Sequence, residues 1–191
     1  MSIRTDMAAE SFSQAGGAEK LQGVKVKNNV IENARLEVTD ITIETQEAAE
    51  KLGRPVGRYI TLTATDSTFD MYSDSFRERA EVIAKAIGEL CGSCERFLAV
   101  GLGNYALTSD AVGPLTAEKI FATRHIKSLA KEIDTDDLGE VTVIQPGVLG
   151  NTGIESSEQV KAIAERVTPQ AVIAVDALAC SELSNLGRTI Q

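Results

Sequence analysis

One stretch of the sequence, residues 97–114, constrains the fold more than any other. It reads FLAVGLGNYALTSDAVGP, an apolar run that stops at Gly101 and passes into a loop. A short apolar run that ends at a glycine and delivers a loop is typical of a buried parallel strand. Residues 171–179, AVIAVDALA, contain a second short apolar run, which ends at Asp176. We therefore predict an α/β fold with a parallel sheet.

Each of these two segments carries a carboxylate. Asp110 lies in the loop of the first segment, and Asp176 stands where the second strand should end. Because the carboxyl ends of parallel strands share one edge, we expect both side chains at the same edge of the sheet. Two neighbouring carboxylates can share a proton and position a water molecule. The pair predicts acid-base hydrolysis of an amide, although each aspartate alone is also typical of a turn cap or a strand end.

The sequence before residue 97 has a different organisation. Residues 24–31 and 35–44 are typical of strands, as is GRYITLTAT, and the helix QEAAEKL should stop at Gly53 in a left-handed cap. These segments predict an N-terminal antiparallel β layer. Within residues 35–44 the apolar alternation changes phase at Asp40, which predicts a bulge or an end of pairing.

Helical periodicity predicts two longer helices. Between residues 73 and 90, apolar side chains recur every three or four positions and predict a stripe that packs on the sheet. The stripe consists of Phe76, Ala80, Ile83, Ile87 and Leu90. A second helix is expected from about Leu115 to Ile133, followed by a strand at 140–145 and another helix that ends near Val167.

We expect a domain organisation with one main domain. Residues 1–20 have no periodicity and predict a mobile N-terminal arm, whereas residues 21–191 predict a single α/β domain. The final RTIQ is typical of a strand that stops after its first residues. Because three parallel strands make a narrow sheet, we expect this domain to be truncated at its C-terminus.

Composition excludes several classes of partner. The chain has 19 basic and 28 acidic residues, a net charge of −9, and no cluster of Lys and Arg that could follow a phosphate backbone. No segment approaches the roughly 18 continuous apolar residues of a membrane helix. An odd cysteine count of three favours a reducing compartment. We expect a cytoplasmic protein that binds neither nucleic acid directly nor membranes.

Cofactor and metal sites are disfavoured. GLGNYA matches G-x-G-x-x-A, but the loop runs on to Pro114 and FATRH replaces the acidic ribose partner of a dinucleotide site. PGVLGNTG could cradle a phosphate, although a strand-to-helix connection is the preferred interpretation. Cys91 and Cys94, with Cys180 and His125, could form a redox or zinc site, but this C-x-x-C ends a predicted helix. We expect no cofactor and no metal.

Four motifs carry a resemblance to a known family. GLGNYALTSDAVGPL, TRH, PGVLGNTGIESSE and AVDALA occur in the order and at the spacing of the germination proteases of spore-forming bacteria. The similarity runs from IRTD to RTIQ. It implies an atypical aspartic endopeptidase of the spore core that degrades small acid-soluble spore proteins during germination. It also implies a homotetramer and a parallel-sheet sandwich similar to the hydrogenase-maturation proteases (a phosphorylase/hydrolase-like fold).

The resemblance also implies roles for individual residues. The family's two essential aspartates lie in T-x-D-A-x-G-P and D-A-L-A motifs, which places them at Asp110 and Asp176. The family is made as a zymogen, and TDMAAE is similar to its substrate motif T-E-F-A-S-E, so we predict self-cleavage of a short propeptide between Asp6 and Met7. The arm before IRTD is shorter than in the family, and the glycine-rich section that follows T-I-Q is absent. The alternative is a non-catalytic or metal-binding module related to the maturation proteases.

Overall fold

The computed structural model describes residues 5–14, 21–129, 134–135 and 138–191. The chain divides into two compact units. The antiparallel unit comprises Met1–Leu90 and Leu178–Gln191, and the parallel unit comprises Cys91–Ala177. Each unit is built around its own sheet. Within the described ranges, none of the helices combines the length and the apolar character needed to cross a membrane.

The predicted antiparallel layer is confirmed. Its sheet has the strand order β1-β2-β3-β7, and all three pairings are antiparallel. The strands are β1 (Val24–Ile31), β2 (Leu36–Ile43), β3 (Gly57–Ala64) and β7 (Thr189–Ile190), and the helices are α1 (Ala8–Gln14), α2 (Gln46–Leu52) and α3 (Phe76–Cys91). Helix α2 ends at Gly53, whose φ of 63° is left-handed as predicted.

The predicted bulge in β2 is wrong. Pairing with both β1 and β3 is continuous from Leu36 to Ile43. The phase of the apolar pattern changes because both faces of this sheet are covered, at different ends of β2. Leu36 packs with Val82 of α3, whereas Ile41 and Ile43 pack on the opposite face with residues of α1 and α2. One strand therefore contributes to two separate cores.

The predicted apolar stripe of α3 is also wrong. Phe76, Ile87 and Leu90 are 50%, 41% and 55% exposed, whereas Arg79 is only 2% exposed. The Arg79 guanidinium donates three hydrogen bonds. Its Nε donates to the Ala34 carbonyl (3.1 Å), its Nη1 to the Thr68 carbonyl (3.1 Å), and its Nη2 to the Asp66 carboxylate. A buried cation needs such partners, and they lie on the sheet side of the helix. Arg79 therefore sets the rotation of α3 about its axis.

The N-terminal arm is partly structured. Residues 8–14 form α1, and Phe12, 3% exposed, lies edge-on to Tyr59 with ring centroids 6.4 Å apart. The prediction of a mobile arm is thus wrong for these residues, because α1 supplies apolar side chains to the core beneath β2. Residues 1–4 and 15–20 of the predicted arm lie outside the described residues.

The parallel unit confirms the predicted parallel sheet. Its strand order is β5-β4-β6, with both outer strands parallel to β4. The strands are β4 (Arg96–Gly101), β5 (Glu140–Ile144) and β6 (Ala171–Val175), and the helices are α4 (Val112–Lys119), α5 (Arg124–Leu129), α6 (Leu149–Thr152) and α7 (Ser156–Val167). The protein is therefore an α/β protein with one antiparallel sheet and a separate parallel sheet of three strands.

The helix predicted from Leu115 to Ile133 is interrupted. Helix α4 ends at Lys119, and α5 begins at Arg124. Between them, the Thr123 hydroxyl donates to the Gly139 carbonyl (2.5 Å) and accepts from the Val141 amide (2.8 Å). These bonds attach the connection to the start of β5, and a continuous helix could not form them. The last four residues of the prediction, 130–133, lie outside the described residues.

Candidate active site

The ends of β4 and β6 meet at one edge of the parallel sheet. Gly101, the last residue of β4, is in register with Val175, the last residue of β6. The next residue, Leu102, donates its amide hydrogen to the Val175 carbonyl (2.8 Å). Asp176 follows Val175 directly, so its backbone lies at this edge. This is the position that the sequence pattern predicts for it.

The loop after β4 folds back on itself and carries Asp110. Asp110 ends a short 3₁₀ turn, Thr108–Asp110, and its side chain is half-buried. The Asn104 amide donates both to Asp110 Oδ2 (2.9 Å) and to the Asp110 carbonyl (3.0 Å). The carboxylate is therefore bound to the first residues of the loop, which follow the end of β4 directly.

Two glycines let α4 begin against both strand ends. A Cβ on Gly113 would lie 2.1 Å from the Leu102 carbonyl oxygen and 2.4 Å from the Val175 carbonyl oxygen. A Cβ on Gly101 would lie 2.3 Å from the Gly113 carbonyl oxygen. No side chain fits at such distances. The sequence pattern marks Gly101 only as the end of a strand, whereas glycines at positions 101 and 113, on either side of Asp110, are the local signal for a close backbone approach.

The two predicted aspartates thus belong to the same unit and the same sheet edge. Asp176 is exposed, and its Oδ1 accepts the amide hydrogen of Ala177 (2.8 Å). The Asp110 loop reaches this edge through Gly113, which contacts the residue that precedes Asp176. Two carboxylates at one edge can hold a water molecule, one as a proton acceptor and the other as a proton donor.

The predicted cleavage site lies in the antiparallel unit. The Asp6 amide donates to the Ala179 carbonyl (2.9 Å), and the Ala179 amide donates to Asp6 Oδ2 (3.4 Å). Met7 is only 4% exposed. Arg54, which follows the end of α2, holds the same segment, because its Nη2 donates to the Thr5 carbonyl (3.1 Å). In this conformation, the residues on both sides of the Asp6–Met7 peptide bond are therefore held by contacts with the rest of the antiparallel unit.

Glu10 on α1 forms a buried clamp that sequence reasoning missed. Its carboxylate accepts hydrogen bonds from the Ser181 amide (2.9 Å) and hydroxyl, the Glu182 amide (3.3 Å) and Asn185 Nδ2 (2.7 Å). Burial alone would raise the pKa of Glu10, but the hydrogen bonds, foremost those from Ser181, outweigh it and lower the pKa from 4.5 to about 2. Ser181, Glu182 and Asn185 lie 171 or more positions along the chain, so no local pattern marks them.

The clamp predicts a specific pH dependence of stability. Because the pKa of Glu10 is lowered in the folded protein, its contribution is complete above the unfolded value and is lost as the pH falls toward 2. We expect Glu10→Gln to lower the free energy of unfolding by about 2 kcal/mol at pH 7 and by clearly less at pH 3. Urea unfolding at both pH values measures this, with Glu50→Gln on the exposed surface of α2 as control. Equal losses at pH 7 and pH 3 would contradict the prediction.

The structure gives no support to the metal, redox or dinucleotide sites that the sequence motifs raised, within the residues that it describes. Among the described residues, no group of three or more His, Cys, Asp or Glu side chains is arranged to hold a metal ion. Cys91, Cys94 and Cys180 are free thiols. After the G-x-G sequence that ends β4, the next helix, α4, begins only at Val112. A dinucleotide site requires the helix to begin within the fingerprint.

Comparison with known proteins gives consistent relatives. A sequence profile of the family described as germination protease matches residues 3–191. The chain is similar to proteins named germination protease from Clostridium perfringens (36% identity over 194 residues, 99% of this chain and 59% of the relative), Clostridium tetani (36% over 197 residues, 100% and 59%) and Priestia megaterium (34% over 204 residues, 100% and 54%). The chain therefore spans less than two thirds of the length of these curated relatives.

Proposed function

This chain belongs to the germination protease family, and we propose that it is an aspartic-type endopeptidase in which Asp110 and Asp176 activate a water molecule. The observation that carries the proposal is the shared edge of β4 and β6. Asp176 directly follows the end of β6, and the Asp110 loop contacts that same end through Gly113. The family resemblance of both aspartate motifs supports the same pair.

The proposed reaction needs one ionised and one protonated carboxyl group. The ionised group accepts a proton from water as the water oxygen attacks the peptide carbonyl carbon, and the protonated group donates its proton to the carbonyl oxygen. When the tetrahedral intermediate collapses, the leaving nitrogen takes the proton that the first group received from water, a hydroxyl of the intermediate returns a proton to the second group, and the C–N bond breaks.

The substrates, assembly and location are proposed from the family. The substrates are small acid-soluble spore proteins, cleaved in the spore core at germination, and the active assembly is a homotetramer. The proposed fold relationship is to the hydrogenase-maturation proteases, supported by the parallel sheet with helices in its connections.

Cleavage of a purified small acid-soluble spore protein tests this function against the metal-binding alternative. The purified protein should produce discrete fragments, and the rate should be unchanged after treatment with a chelator. Intact substrate after prolonged incubation would contradict the endopeptidase. Activity that is lost on chelation and restored by a metal would favour the metal-binding alternative.

We further propose that the protein is a zymogen that cleaves itself between Asp6 and Met7. Since Met7 is buried and Asp6 is bound to Ala179, residues 5–7 must leave their contacts before cleavage. Mild acidity should not release α1, because the pKa of Glu10 is about 2.

We therefore predict faster self-cleavage when the segment is loosened. Arg54→Ala removes the hydrogen bonds to the Thr5 carbonyl and to Ser11 Oγ (3.0 Å), and should raise the rate about threefold to tenfold, as expected when roughly 1 kcal/mol of restraint is lost. Lys51→Ala, close by in the last turn of α2, is the control, since Lys51 pairs with Glu47 instead. Mass spectrometry after mild-acid incubation should find Met7 as the new N-terminus. A different terminus, or the same product from Asp110→Asn kept free of active enzyme, would refute the proposal.

A further inference from the structure

The glycine-rich turn after β4, G-L-G-N, has a geometry that no dinucleotide site explains. We infer that Gly103 and Asn104 are positioning residues that hold the Asp110 carboxylate in the orientation needed for hydrolysis. The inference rests on the proposed function, since it concerns the same carboxylate. According to this inference, the turn binds the Asp110 side chain of its own loop.

Asn104 closes the loop from one side. Its amide hydrogen is shared between Asp110 Oδ2 (2.9 Å) and the Asp110 carbonyl (3.0 Å). Its own side chain is fixed, because Oδ1 accepts the Ala106 amide hydrogen (3.0 Å). The Leu107 amide donates to the Asn104 carbonyl (3.0 Å), and the Asp110 amide donates to the Leu107 carbonyl (2.8 Å). Residues 104–110 therefore form a closed set of hydrogen bonds that ends on the carboxylate.

Gly103 leaves the space that this arrangement needs. Its φ of 117° lies in the region that residues with a side chain rarely adopt. A Cβ at this position would lie 2.1 Å from the Asp110 carbonyl oxygen and 3.0 Å from Asp110 Oδ1. A side chain at position 103 would thus push directly against Asp110, including the oxygen that the Asn104 amide does not hold.

These contacts fix the orientation of the Asp110 carboxylate. One carboxylate oxygen, Oδ2, is held by a main-chain donor, and the other, Oδ1, lies on the Gly103 side. A carboxyl group that is held through one oxygen keeps a defined plane, which leaves the second oxygen to meet a water molecule. Displacement of a reacting group by about 1 Å can cost about a hundredfold in rate. The turn therefore acts through Asp110 and does not itself touch the substrate.

Gly103→Ala tests the inference. We expect kcat for peptide cleavage to fall about a hundredfold with KM within a factor of two, because Asp110 moves and the substrate-binding surface does not. The matched control is Gly92→Ala. Gly92 also has a positive φ, 58°, but a Cβ there would meet no described atom within 4 Å. The control also puts a side chain on a glycine with positive φ in the same unit, although its φ lies in the milder left-handed region that Arg35 and Thr168 also adopt, and it should keep its kcat.

A milder variant and a spectroscopic readout guard against simple misfolding. Asn104→Ala removes the acceptor for the Ala106 amide and should lower kcat about tenfold, whereas Asn104→Asp, which keeps an acceptor oxygen, should restore most of it. In NMR spectra, the Asn104 amide shift should titrate with Asp110. This titration should disappear in Asp110→Asn, diminish in Gly103→Ala and persist in Gly92→Ala.

The outcomes separate the two ideas. Unchanged kcat in Gly103→Ala, or a loss no larger than in Gly92→Ala, would overturn the positioning role while leaving the proposed function intact. An Asn104 amide that does not respond to Asp110 in the unmodified protein would overturn it as well. Retained cleavage by Asp110→Asn would instead overturn the proposed function, whatever the amide titration shows.

Discussion

Replacing Asp176 by Asn is expected to lower kcat for peptide cleavage about a thousandfold, within the range of general acid-base catalysis. The amide cannot take or give the proton that the reaction requires. The fold should not change, since Asp176 is exposed and an Asn Oδ1 can still accept the Ala177 amide hydrogen. Asp110→Asn should lose activity to a similar degree for the same reason. It should also keep the fold of the loop, because the Asn side-chain oxygen can still accept the Asn104 amide hydrogen.

Initial rates on one defined peptide measure these losses, with thermal unfolding of each variant as a check on folding. Glu165→Gln is the control for a carboxylate removed from the same unit, since Glu165 is an exposed residue of α7. Its rate should match that of the unmodified protein. Full activity in either aspartate variant would exclude the corresponding side chain from the mechanism.

The largest expected loss of stability follows from Arg79. A buried acceptor left without its donor costs about 1 to 3 kcal/mol, and Arg79→Ala leaves two, so it should reduce the free energy of unfolding by about 3 kcal/mol. The substitution leaves the carbonyls of Ala34 and Thr68 without their donor and removes the cation that lies 5.5 Å from the Phe69 ring centroid. Asp66 keeps one partner, because Arg35 Nη1 lies 2.7 Å from its Oδ2.

The same helix offers a matched control for Arg79. The side chain of Arg77 is 87% exposed and pairs with Glu81 one turn further on. Exposed pairs of this kind contribute about 0.5 kcal/mol or less, so Arg77→Ala should be nearly neutral. Urea unfolding of both variants gives the comparison. A loss below about 1 kcal/mol for Arg79→Ala would show that the buried guanidinium does not hold α3 on the sheet.

The arrangement of the two aspartates was predictable because its signals are local. In residues 97–110 an apolar run and a glycine precede Asp110, in residues 171–176 an apolar run ends directly at Asp176, and the shared edge follows from parallel pairing alone. The antiparallel layer was predictable for the same reason. The end of α2 at Gly53 is likewise specified by a single residue whose backbone conformation favours glycine.

The errors arose where distant contacts override a local pattern. Arg79 is polar in any hydrophobicity pattern, yet its acceptors Ala34 and Thr68 place it inside. The interruption before α5 depends on bonds from Thr123 to residues 16 and 18 positions away. Glu10 meets its donors across nearly the whole chain. Such contacts are properties of the fold, and a periodicity argument has no access to them.

The claim that Asp110 and Asp176 work as a pair is tested most directly by combining Asp110→Asn with Asp176→Asn and measuring kcat on the same peptide. Residues that act as one unit are strongly non-additive, so the double variant should be about as slow as either single variant, near a thousandfold below the unmodified protein. Independent groups would multiply their effects to a loss of about a millionfold. A multiplied loss, or a double variant that retains cleavage, would contradict the paired mechanism.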